Sequence, residues 1–167
     1  MALRKYVIEK SFERVAHGIY LAPDAWKDSL YLLALRCPQA IFSHETALYL
    51  HDLTDREPMQ YAVTVRNGYN PSKLTADGIK VYTVKKELHA LGAMNTVTAF
   101  GHSVPVYDRE RTICDIVRSR RNIDAQSFQG ALKQYARRRD KNLTLLMDYA
   151  KEFHIEKILR QYLEVLL

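Results

Sequence analysis

Two groups of residues have types and spacings that could do chemistry. The first is Arg109, Glu110, Arg111, Asp115 and Arg118. Arg111 and Asp115 stand at i and i+4, and Asp115 and Arg118 at i and i+3, the separations at which opposite charges meet on a helix. Asp108 or Glu110 would sit in the first turn, where a carboxylate suits the positive end of the helix dipole. Such a ladder locks a helix to a neighbouring sheet, or offers Arg109, Arg111 and Arg118 to a partner, or, third in order, works as a catalytic cluster. The run Arg137, Arg138 and Arg139 closes a helix, where positive charge suits the dipole, and the same patch fits an acidic protein surface or nucleic acid. The second group is Arg4, Lys5, Lys10 and Arg14, with His17 at a chain reversal. These residues could neutralise phosphates beside a groove, against Glu9 and Glu13.

Bond-making chemistry finds less support. His44 and His51 are seven residues apart, two helical turns, whereas one metal ion wants histidines at i and i+4 with a carboxylate. Capping and packing are the readier reading of His44, Glu45, His51 and Asp52. A metal-dependent nuclease needs a carboxylate and then an acid-x-Lys on the adjoining strand. Asp77 precedes the expected strand at Ile79–Val84, but Thr83 stands where the second acid belongs. Neither a phosphate-binding loop, a nucleophile elbow nor a Gly-Ser nucleotidyltransferase signature occurs. Ser43-His44 and His102-Ser103 are sequence neighbours, which seldom face each other as nucleophile and base. The expectation is a binding protein with no catalytic residues, metal or cofactor; a nuclease through Asp77 is the minor alternative.

The elements that would position these groups follow from pattern. The chain of 167 residues is 47% hydrophobic and 26% charged, an ordinary globular balance. No apolar run reaches the ~18 residues of a membrane span, and the first residues lack a signal-peptide core. Cys37 and Cys114 are too few for a disulfide framework and read as reduced, buried thiols. A cytoplasmic protein is expected. The net charge is +6, and eight basic residues against two acidic ones between Arg118 and Lys141 account for that excess.

Leu3, Tyr6 and Val7 form a helical stripe, and Phe12–Val15 and Ile19–Leu21 are β-prone runs about Ala16-His17-Gly18. A basic helix followed at once by a hairpin is the closing part of a winged helix-turn-helix. The earlier helices of such a unit need about 30 more residues, so a truncated unit over 1–23 is expected, followed by a partner-binding domain over 24–167. Asp24 is positioned to cap a helix from Trp26 to Arg36, and Ser43 to cap a second. Strands are expected at Tyr61–Val65 and Ile79–Val84, a loop at Asn67–Pro71, and a hairpin from Thr96–Phe100 and Val104–Tyr107. Tyr49, Tyr61, Tyr69 and Tyr82 could form an amphipathic interface or lie half-buried. After Asp108 the apolar period changes to 3.6 through Ile113 and Ile116, Phe128 and Leu132, Leu146 and Tyr149, and Leu159 and Leu163. Strands first and helices last make an α+β fold: a mixed-strand domain closed by a C-terminal helical bundle.

Three segments, R-V-A-H-G-I-Y-L-A-P at 14–23, F-S-H-E-T-A-L-Y-L-H-D-L-T at 42–54 and Y-D-R-E-R-T-I-C-D-I-V-R at 107–118, resemble the AbiEi-type antitoxins of abortive-infection, type IV toxin–antitoxin systems. The resemblance implies a winged helix that binds operator DNA and represses its own operon. It also implies a C-terminal domain that counteracts a nucleotidyltransferase-like toxin. On that basis Leu3–Lys10 matches the end of a recognition helix and Phe12–Leu21 its wing, while the family's preceding helices have no counterpart. A protein-interaction module without DNA binding is the alternative from a different functional class.

Overall fold

The computed structural model describes residues 2–166. The side chains of residues 2 and 3 lie outside the described residues, so the stripe position expected of Leu3 falls there too. The chain forms two compact units: residues 1–38 with 97–104, and residues 39–96 with 105–167. The boundary read at 23/24 therefore falls inside the first unit.

In the first unit α1 (Ala2–Glu9) is followed by Ser11, whose φ of 55° turns the chain into an antiparallel hairpin of β1 (Glu13–Ala16) and β2 (Ile19–Leu21). Arg14 lies opposite Tyr20 and Ala16 opposite Ile19, with a register shift between them. Gly18, at φ 73°, makes the reversal that an L side chain would resist. α2 (Ser29–Arg36) buries Leu30 and Leu33. Its cap is Asp28, four residues beyond the expected Asp24: the Asp28 carboxylate accepts the Tyr31 N–H at 3.1 Å. Asp24 is exposed, and a turn closed by Ala25 N–H to the Ala22 carbonyl occupies that stretch. Asp28 also accepts from Thr98 Oγ1 and pairs with His102 Nδ1 at 2.8 Å, while the His102 ring stacks on Tyr31. Burial pushes the Asp28 carboxyl up, but the bonds from Thr98, the Tyr31 amide and His102 outweigh it and leave it below the usual value. These bonds join 97–104 to residues far away in sequence.

The second unit opens with β3 (Ile41–Phe42), α3 (His44–Leu50), β4 (Ala62–Arg66), α4 (Ser72–Ala76), β5 (Lys80–Val84) and α5 (Lys86–His89). β6 (Ala93–Val97) and β7 (Ser103–Tyr107) follow, with residues 97, 103 and 104 counted in the first unit. The sheet order is β5-β4-β3-β7-β6. β3 runs antiparallel to β4 and parallel to β7, and β4 runs parallel to β5 with Ala62 opposite Lys80 and Arg66 opposite Val84. The A-V-T-V of β4 is buried throughout, as befits a strand covered on both faces. The helical half comprises α6 (Arg109–Arg118), a 3-10 turn at Arg120–Asn122, α7 (Ala125–Arg137), α8 (Leu143–Glu152) and α9 (Glu156–Leu166). Asp108, Asp124 and Asn142 cap α6, α7 and α8 by accepting the Arg111, Ser127 and Leu145 amides. The chain is thus an α+β fold with a mixed sheet.

The core of this unit sits around α6. Ile113, Cys114, Ile116 and Val117 pack with Leu48 and Leu53, Phe128 and Leu132 of α7, Leu146 and Phe153, and Leu159 and Leu163 of α9. Cys37 and Cys114 are both free and buried, and burial pushes the Cys114 thiol well up, away from nucleophilic chemistry. Among the described residues no helix is long and apolar enough to cross a membrane.

Candidate functional site

The five residues expected at a nucleic-acid surface lie together at the start of the chain. α1 carries Arg4 and Lys5, Lys10 follows its last turn, and Arg14 and His17 sit on β1 and at the hairpin tip; all five are exposed. Arg14 reaches along the hairpin, with its NH2 group 3.1 Å from His17 Nδ1 and its Nε donating to the Ala16 carbonyl at 3.4 Å. Among the described residues none of Arg4, Lys5, Lys10 and Arg14 forms an ion pair, although Glu9 and Glu13 are exposed in the same segment. Tyr6 packs on Phe12 at 6.0 Å between ring centroids, which helps fix the angle between helix and hairpin.

The six arginines expected at a partner surface separate into three places. Arg109 and Arg138 converge on Asp140 at 2.7 and 2.8 Å beside the end of α7, with Arg137 and Arg139 exposed next to them. The hydrogen bonds from Arg138 and then Arg109 hold the Asp140 carboxyl far below its usual range. Arg118 lies at the far end of α6, about 14 Å along the axis by helical rise. There it bonds Asp115 at 3.2 Å and covers the Phe153 ring.

Arg111 is a correction: it is 0% exposed and offers no surface to a partner. The i, i+4 ladder exists, with Arg111 Nε to Asp115 at 3.1 Å, but it faces inward. The guanidinium also donates to the Leu88 and Leu91 carbonyls at 2.8 and 2.6 Å and lies over the Tyr107 and Phe153 rings. Glu110 is buried as well, accepting from Tyr135 Oη and the Asn142 amide, both at 2.9 Å. Burial raises the Asp115 carboxyl, against the pull of Arg111 and Arg118. Four elements are thereby tied to one helix.

A second buried polar cluster surrounds His44, for which the sequence suggested only capping and packing. Ser43 occupies the N-cap position of α3 but makes no capping hydrogen bond. Its hydroxyl instead lies 2.9 Å from His44 Nδ1 and accepts from Thr64 at 2.8 Å, while His44 Nε2 lies 3.0 Å from Ser119 Oγ. The imidazole stacks on Tyr82, and the residue holds a left-handed φ of 49°. Beside it Lys80 bridges Glu45 at 3.0 Å and the Asn122 carbonyl at 3.1 Å. Burial, then Lys80, Arg118 and Arg111, keep His44 far below its ordinary pKa, so the ring is neutral in the fold.

Unfolded, His44 takes up a proton near pH 6.5; folded, it does so only well below. Its contribution to stability is therefore complete above pH 6.5 and is lost as pH falls, at about 1.4 kcal/mol per pH unit until the folded pKa is reached. Denaturant midpoints measured from pH 7.5 to 5 should fall, and His44→Gln should flatten part of the slope. His51 and His89, lowered chiefly by burial, retain the remainder. An unchanged slope in the variant would show that folding leaves the His44 pKa where it stands in the unfolded chain.

Among the described residues no group of three or more His, Cys, Asp or Glu is gathered in metal-binding geometry. Asp77 is exposed at the end of α4. No protein-family model matches the chain, and no curated protein matches it either.

Proposed function

We propose that this chain is an antitoxin-type transcriptional regulator of an abortive-infection operon that acts by binding. Operator DNA meets α1 and the hairpin, read as the recognition helix and wing of a winged helix-turn-helix. The second unit opposes a nucleotidyltransferase-like toxin, with Arg118, Arg137 and Arg139 as exposed cations beside the half-buried Arg109 and Arg138. A cytoplasmic location accords with that role. The observation that carries the reading is the set Arg4, Lys5, Lys10 and Arg14, exposed and without ion pairs among the described residues, along a helix that runs straight into a hairpin.

Phosphate contacts make affinity fall with salt, with a slope of about −0.9 in log–log form per contact on duplex DNA. Fluorescence anisotropy of the full chain on a duplex from its own promoter, over a salt series, is the test. Arg4→Gln with Arg14→Gln should reduce the slope by about 2 and weaken binding alike on scrambled duplexes. Binding with an unaltered slope would move the DNA surface elsewhere. No binding at low salt would favour a protein-interaction module, a reading that Ile8 at 68% and Trp26 at 82% exposure also support.

A further inference from the structure

At one end of the central sheet is a cleft of about 380 Å³, within the range of small-ligand pockets. It is lined by Gln39 before β3, Arg66 at the end of β4, the Asn67–Asn70 loop and Lys86 beyond β5. β4 and β5 are parallel, so the cleft lies outside the carboxyl ends of a parallel pair, where open α/β sheets commonly hold their ligands. Its composition selects the ligand. Two cations, three side-chain amides, a tyrosine and a glycine line it, and among the described residues no carboxylate does.

Among the described residues the Arg66 side chain makes one long hydrogen bond, 3.4 Å to Gln39 Oε1, which leaves its other donors for an incoming anion. Lys86 is exposed and makes no ion pair among the described residues. The loop is held in shape without any occupant: Asn67 N–H bonds the Val84 carbonyl at 2.9 Å, and Tyr69 N–H bonds the Arg66 carbonyl at 3.1 Å. Gly68 takes φ 91° with open space where a side chain would stand, so an occupant can approach its backbone closely.

We propose that this cleft is a phosphate-binding site for nucleotides, with the phosphate between Arg66 and Lys86 and Tyr69 offering a ring to the base. Arginine supplies a planar fork of donors and lysine a mobile point charge, a pairing suited to a phosphate monoester or diester. The same chemistry comes from a free nucleotide or from a strand of nucleic acid. The site belongs to the second unit and does not depend on α1 or the hairpin binding DNA.

The test titrates AMP, adenosine and a single-stranded dT10 into the ¹⁵N-labelled full chain and follows amide shifts by NMR. AMP or dT10 should move the amides of Asn67 to Asn70 saturably, the tighter of the two naming the source. Adenosine should be about tenfold weaker or silent, since a charge-assisted bond is lost. Arg66→Gln with Lys86→Gln, which leaves the core and the Asn67–Val84 bond intact, should weaken AMP by tenfold or more while the remaining spectrum is retained. Adenosine matching AMP, shifts confined to other residues, or equal binding by the double variant would each overturn the assignment.

Discussion

Replacing Arg111 with Met should lower unfolding stability by about 3–5 kcal/mol, the cost of breaking a buried pair from one side. The side chain is fully buried and has no water to fall back on. Its loss leaves Asp115 in the interior with only the half-exposed Arg118, and leaves the Leu88 and Leu91 carbonyls without their donor. Arg111→Lys keeps the charge but not the fork that reaches both carbonyls, and should recover only part of the loss. Adding Asp115→Leu to Arg111→Met removes the stranded carboxylate and should restore much of the midpoint, because apolar replacements of buried ion pairs are often neutral. Urea unfolding of the four proteins measures all of this. A loss below about 1 kcal/mol for the single variant would mean that Arg111 acts at a surface after all.

Gly92→Ala should cost about 3 kcal/mol by two routes that add. The residue holds φ 76°, where a side chain costs about 1–2 kcal/mol, and overpacking a tight site costs about 1–3 more. A Cβ there would lie 2.7 Å from Arg111 Cβ and 3.2 Å from the Asp108 carboxylate, the cap of α6. The Gly92 carbonyl also accepts the Asp108 amide at 2.7 Å, so the backbone has little room to retreat. Gly78 is the internal control: its φ of 77° is equivalent, but nothing lies within 4 Å of its would-be Cβ. Gly78→Ala should therefore lose only the backbone part, about 1–2 kcal/mol. Equal losses in the two variants would remove contact with Arg111 as the cause.

The Arg111–Asp115–Arg118 ladder could be read from spacing because i, i+4 geometry is local. Its direction could not. R-E-R-T-I-C-D-I-V-R admits both a helix locked to its sheet and a charged face offered to a partner, and the outcome depends on the Leu88 and Leu91 carbonyls and on the rings of Tyr107 and Phe153. The caps divide in the same way. Asp108 stands just before its apolar period and was placed at the start of its helix, whereas Asp24 and Asp28 compete four residues apart. Thr98 and His102 settle that competition in favour of Asp28, and both are remote in sequence. The basic face of α1 and the hairpin was readable because it is continuous in sequence. The cleft of Arg66 and Lys86 was not, since Gln39, the Asn67 loop and Lys86 meet only through strand order, and the sequence marks that loop merely as a turn.

The pairing of Phe42 with Val106 bears on how the chain reaches its native state. That contact closes a loop containing most of the second unit's strands, and the entropy of closure must be met before the pairing returns anything. The helices from α6 to α9 are contiguous and connected by short turns, so they can assemble on local contacts. Hydrogen-exchange pulses during refolding should protect α6 to α9 first and β3 last, making a two-residue strand the final element to be secured.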